Sequence, residues 1–174
     1  MSNAINLTEK ELTKALTYAG FILVAFELVK SLIVNPTKAF YANITFGKGS
    51  PFKSYEEDVL SRHKNQFEAC LLYLRDFMEA IDSEDVLTIQ ALRKHRNDLA
   101  HDLPGMLHKL DIKHHLPLLE KTDKALFKLS NSQIYIDIGS DPRFRNKGID
   151  WDTIKGPEYE LFEEVLNKVK ILQR

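Results

Sequence analysis

The stretch AGFILVAFELVKSLIV, residues 19 to 34, most narrows the folds open to this chain. It is almost wholly apolar, yet Glu27 and Lys30 interrupt it, and it is shorter than the roughly 20 residues a bilayer-spanning helix needs. The run predicts a helix buried in a protein core and no membrane span. Thr8 followed by Glu11 has the pattern of a capping box, and Leu7 with Leu12 fits a hydrophobic staple. This first helix is therefore expected to start near residue 8 and to stop after Val34, where Asn35-Pro36 interrupts it.

Further periodic segments extend the helical pattern. Ser54 followed by Glu57 opens a second helix expected to reach Ile81, with Leu60, Phe67, Leu71, Leu74 and Met78 on one side. A third runs from Ser83 to about Leu103, carrying Ile89, Leu92 and Leu99 inward before Pro104-Gly105 ends it. A fourth spans 117 to 131, and Gly156-Pro157 opens a last one to about Leu172. Between the first two, Phe40, Tyr41 and Phe46 are expected to pack an irregular connection onto the domain. The alternating QIYIDIG and the turn-rich SDPRFRNKG predict a short β-hairpin over 133 to 148. The fold class is thus all-α: an antiparallel helical bundle, with a short C-terminal hairpin and an added C-terminal helix.

With 174 residues and 44% apolar side chains, residues 1 to 174 are expected to form a single domain around one core. Cys70 is the sole cysteine, which leaves no internal disulfide and suits a reducing compartment. No basic stretch, apolar run and cleavage site open the chain, so cytoplasmic residence is expected. A formal net charge of −1 is not that of a protein gripping long nucleic acid through many phosphates, so any anion site is local.

That local site is sought in ALRKHRNDLAHDLP, residues 91 to 104. On a helical wheel with Leu92 at zero, Leu99 falls near −20°, Leu103 near +20° and Arg96 near +40°. Arg96 therefore lies within the apolar stripe, where a guanidinium needs a carboxylate, an anionic ligand or an interface rim. Asn97 and His101 share another face, with Arg93 one turn before. His101 falls in the last turn, where a cation is favoured and histidine suits proton transfer. Arg96 and His101 point roughly 140° apart on a regular helix, so a symmetric dimer with two such helix ends flanking one cleft is the preferred way to unite them. The alternative is a helix end stabilised by positive charge, with Arg96 paired to a neighbouring acid.

Arg96-Asn97-Asp98-Leu99-Ala100-His101 resembles the arginine, polar residue, three others, histidine signature of HEPN domains, and the order of long amphipathic helices fits their bundle. The resemblance covers about residues 8 to 131 and leaves 132 to 174 as an extension. It implies a metal-independent endoribonuclease of toxin or antiphage type, with RNA as substrate, a homodimer and no cofactor. Arg96, Asn97 and His101 would be catalytic: His101 moves the proton, Arg96 steadies the phosphate, and Asn97 orients one of them. Inactive members imply an alternative, a helical module binding a partner protein, such as a nucleotidyltransferase-type antitoxin, or a nucleotide.

Arg93, Lys94 and His95 are read as a solvated surface able to guide RNA to the cleft. His63, between Leu60 and Phe67, is a secondary candidate, although a hydrogen-bonded core histidine accounts for it as well. Glu57 and Asp58 are most simply helix N-terminal charges. His108, Asp111, His114 and His115 form the one cluster of metal-binding type, but the segment lies between Pro104-Gly105 and Pro117 and reads more simply as an exposed polar turn, so no metal is expected. RFRNKG, 143 to 148, sets an aromatic among basic residues and suits either base stacking or a charged loop tip.

Overall fold

The structure, a computed structural model, describes residues 7–107, 110–139 and 141–173. It is all-helical: α1 Glu9–Asn43, α2 Tyr55–Asp58, a 3₁₀ turn Leu60–Arg62, α3 Gln66–Asp76, α4 Ser83–His101, α5 Leu103–Met106, α6 Ile112–Ile138 and α7 Pro157–Leu172. Among the described residues there is no strand.

α1 is the central member and packs on α3, α4, α6 and α7. Its inward face carries Tyr18, Ile22, Val29 and Ile33, all fully buried. By length and composition α1 could cross a membrane, but half of its most apolar window is buried within the bundle. The Thr8 capping box forms, with the Glu11 amide 3.2 Å from Thr8 Oγ1. Contrary to expectation, α1 does not stop at Asn35-Pro36. It runs on through Pro36 to Asn43, because Val34 and Thr37 beside the proline are buried and tertiary packing outweighs the lost hydrogen bond. Thr37 Oγ1 also donates to the Ile33 carbonyl at 2.7 Å.

The second expected helix is broken in two. Ser54 Oγ accepts from the Glu57 amide at 3.1 Å as foreseen, but Asn65 Oδ1 caps a second start, accepting from the Glu68 amide at 3.2 Å. An amide side chain offering the backbone this alternative ends the first helix early. α3 in turn stops at Asp76, not Ile81, and Glu79 adopts a left-handed φ of 52° in the turn that follows. Asp58 lies in the first turn of α2, as expected of a helix N-terminal charge, and is also buried: its carboxylate accepts from the Tyr41 hydroxyl at 2.8 Å and the Lys53 amide at 2.7 Å. It thereby anchors the connection whose aromatics cluster as expected, Phe40 and Phe46 lying 5.7 Å apart and Tyr41 and Phe46 5.5 Å apart.

α4 is capped by Asp82, one residue before the expected Ser83, and ends at His101. α6 begins at Ile112 rather than 117 and continues to Ile138, taking in Gln133 to Ile138, where a strand was expected. A lone two-stranded hairpin is marginal in water, whereas extending a packed helix adds one backbone hydrogen bond per residue. The rest of the expected hairpin segment forms turns instead, and Ser140 lies outside the described residues.

α4 and α6 run antiparallel. The His95 and His115 rings stack 3.9 Å apart near one end, and Lys128 reaches Asp82 and Asp85 at 2.9 and 2.7 Å at the other. α6 and α7 are also antiparallel, with Phe127 against Tyr159 and Lys170 paired to Glu120.

Candidate functional site

α4 remains helical through Arg96, Asn97 and His101, held by packing of Leu92 and Leu99, both buried. Arg96 occupies the edge of that apolar stripe, as the wheel predicts. Its guanidinium lies over the Phe26 ring, 5.6 Å from the centroid, and its side chain is 31% exposed. The carboxylate that partly neutralises it is Glu27, the acid embedded in the apolar run of α1, at 3.7 Å from Nη2. Nη1 donates to Asn97 Oδ1 at 3.2 Å. Nε is buried without a hydrogen-bond acceptor among the described residues.

This pairing is loose. A well-formed arginine–carboxylate fork brings two oxygens to about 2.8 Å, whereas Glu27 is 57% exposed and shares its carboxylate with Lys30 at 3.5 Å. An orphaned Nε and a long, solvent-washed contact leave the guanidinium with unused donors. An anion of better geometry can displace Glu27 at little cost, since exposed ion pairs contribute about 0.2–1 kcal/mol.

His101 ends α4 and is exposed, with no hydrogen-bond or ion-pair partner among the described residues. The chain then reverses at once: Asp102 leaves helical geometry, and its carboxylate caps α5 by accepting from the Gly105 amide at 3.2 Å. Asn97 stands one turn before His101 and touches Arg96, so the three form a contiguous polar strip. The helix does not fray before His101, and the angle between Arg96 and His101 stays at roughly 140°.

The neighbouring basic residues separate. Lys94 is exposed. Arg93, partly exposed, is paired with Glu68 of α3 and placed over the Phe67 ring at 5.3 Å, so its charge is already engaged and does not belong to a free guiding surface. His95 departs furthest from expectation: it is buried, its Nε2 2.9 Å from the Tyr18 hydroxyl and its ring stacked on His115. α1 and α6 both pack on α4 and enclose the face that carries it, a consequence of tertiary contacts that the local run of basic residues does not display. Burial, with the charge of His115 adding to it, lowers His95 to about 4. Burial, with His114 beside it, lowers His115 as well.

His63 lies in the extended break between the 3₁₀ turn and α3, its Nδ1 accepting from the Asn65 amide at 2.9 Å. It is neither on a helix nor in the core. In the histidine-rich segment, Asp111 caps α6, accepting from the amides of Lys113 at 3.0 Å and His114 at 3.4 Å, while His115 faces His95; His108 lies outside the described residues. Among the described residues, no group of three or more histidine, cysteine or acidic side chains is placed to share a metal. Arg143 is paired with Asp141 at 2.6 Å and lies over Phe144, in a turn that follows the far end of α6 from His115.

The apolar surface beside Arg96 was not foreseen. With Leu12 at zero on the α1 wheel, Leu23 falls near 20°, Leu16 near 40° and Glu27 near 60°. Leu12, Leu16 and Leu23 are exposed at 38%, 46% and 39%, with Val24 at the flank and open space over Gly20. The strip leads directly to the acid that holds Arg96. Comparison with protein-family models, with curated proteins and with solved structures finds no match for this chain.

Proposed function

We propose that this chain is a metal-independent, HEPN-like endoribonuclease that acts in the cytoplasm as a homodimer. The observation that carries the reading is the strip on α4. A half-buried arginine with an unaccepted Nε adjoins an asparagine, which stands one turn from an exposed histidine at the helix end that has no partner among the described residues.

In the reaction, the ribose 2'-oxygen bonds to the adjacent phosphorus and the bond to the 5'-oxygen breaks, giving a cyclic phosphate and a free 5'-hydroxyl. One His101 accepts the 2'-hydroxyl proton, and His101 of the partner subunit supplies one to the departing 5'-oxygen. Arg96 exchanges Glu27 for the phosphate as negative charge builds there. Asn97 orients the phosphate or His101. The nucleophile belongs to the substrate, so neither a metal nor a cofactor is called on. Because Arg96 and His101 diverge on one helix, two copies are required, and the exposed leucines of α1 beside Arg96 offer a surface for the second copy to cover. Action on RNA as a toxin or antiphage component follows from the same resemblance.

The alternative reading is a non-catalytic module of the same shape that binds a nucleotidyltransferase-type antitoxin, another protein partner or a nucleotide. It is favoured by the same apolar strip and by the slight negative charge, −1, of the whole chain. The deciding experiment is cleavage of single-stranded and transfer RNA in EDTA by wild type, His101→Ala and Arg96→Ala at equal folded concentration. Cleavage lost in both variants supports the nuclease. A folded wild type that cuts nothing across the panel overturns that reading in favour of the binding module.

A further inference from the structure

A cavity of about 390 Å³ opens between the second half of α1, α3 and α6, within the roughly 300–1,000 Å³ range of small-molecule sites. Its walls are largely apolar, formed by Leu32, Pro36, Leu74, Met78, Leu129 and Ile136. Two features of this pocket bear on what it would accept.

The first is a backbone acceptor. Pro36 has no N–H, so the carbonyl of wall residue Leu32 lacks the donor that the next helical turn supplies elsewhere in α1. The second is charge. Asp137, exposed at the mouth, is the one carboxylate among the described residues at the cavity, and it has no ion-pair partner among them. Asn43, exposed, and the partly buried Ser132 and Gln133 add polar side chains at the cavity. Among the described residues, no lysine, arginine or histidine lines the pocket. An apolar body would fill the walls, and a donor-rich cationic head would meet the carboxylate and the polar side chains beside it.

We infer that this cavity is a binding site for a small, mostly apolar ammonium compound, whose hydrocarbon part lies between α1, α3 and α6 and whose ammonium pairs with Asp137. The site is distinct from the α4 strip. Lys128, next to wall residue Leu129, pairs with Asp82 at the N-terminus of α4, whereas His101 ends that helix roughly 27 Å along its axis. The inference therefore does not depend on ribonuclease activity.

Titration calorimetry of the full chain with octylammonium, 1-octanol and octanoate, paired with thermal unfolding, tests it. Octylammonium is expected to bind saturably and raise the midpoint, octanol to bind about threefold more weakly, and octanoate to bind worst. Asp137→Asn should remove the preference of amine over alcohol while leaving binding of the alcohol. Ile136→Trp, which fills the cavity, should abolish binding of both; should that variant unfold, Ala39→Trp at the exposed rim serves the same purpose. The inference is overturned if octylammonium does not saturate, if octanoate binds as well, or if a folded cavity-filling variant binds undiminished.

Discussion

The hydroxyl of Tyr18 on α1 and Nε2 of His95 on α4 meet at 2.9 Å in the interior, and the His115 ring of α6 stacks on the same imidazole at 3.9 Å. Three helices are thus joined through neutral polar groups. Burial also pushes the Tyr18 phenol up, so the tyrosine keeps its proton across the ordinary range.

Stability should fall on mild acidification. His95 titrates at about 4 in the folded chain against 6.5 for a free imidazole. Above pH 6.5 neither state binds the proton, and the contribution of the neutral imidazole is fully present. Between 6.5 and 4 only the unfolded chain takes it up, so stability is lost, at most by about 1.4 kcal/mol per pH unit for this group. Below 4 both states bind it and the loss levels off. His115, shifted the same way, adds to the slope. Urea unfolding at about pH 7.5, 6.0 and 5.0 should show the decline, and His95→Gln should flatten it; equal stability at all three would refute the account.

Glu27→Gln should strengthen binding of RNA. The acid competes with phosphate for Arg96, and its removal is expected to raise affinity about two- to fivefold at low salt, with the gain shrinking as salt rises. Anisotropy of a labelled oligoribonucleotide, measured in a His101→Ala background so that it is not cleaved, reads this directly. Unchanged affinity would mean that Arg96 does not meet the backbone.

His101 and Arg96 should differ in what else they cost. His101 is exposed and has no partner among the described residues, so His101→Ala should lower cleavage by about 10²–10⁴ while changing stability by less than about 0.5 kcal/mol. Arg96→Ala also removes packing on Phe26 and should cost about 1 kcal/mol beside its effect on cleavage. Arg96→Lys should restore the stability better than the rate, because a point charge does not replace a planar fork. Paired thermal melts and initial rates separate these outcomes.

Asp58→Ala should destabilise the domain by about 1–3 kcal/mol, since it strands the Lys53 amide and leaves the Tyr41 hydroxyl only the Tyr73 hydroxyl, 3.1 Å away, as acceptor. Equilibrium unfolding in urea at neutral pH checks the value, and a change under about 0.5 kcal/mol would show that neither donor depends on it.

The apolar periodicity and the caps at Thr8 and Ser54 made the all-helical bundle legible in the sequence, because these signals are local and repeat every turn. Arg96 on the apolar stripe was legible for the same reason, as was its need for an anion; that the anion is Glu27, 69 positions earlier in the chain, was not. The capping residue Asn65 was a visible signal for the break after His63, obscured by the apolar pattern on either side.

What the sequence determined by itself is what a residue and its neighbours within a turn or two can settle: the helix starts at Thr8, Ser54 and Gly156, and the order of Arg96, Asn97 and His101 along α4. Only the tertiary structure decided which side chains of the basic run reach water. His95 is enclosed by α1 and α6, Arg93 is paired to Glu68 of α3 with 30% of its side chain still exposed, and Lys94 is left exposed. The same packing carried α1 past Pro36, whereas residues 133–138, none of them buried, continue α6 because each adds a backbone hydrogen bond to a helix already packed through Leu129. Burial against distant elements is worth more than the local preference of a proline, and it depends on contacts between residues far apart in the chain.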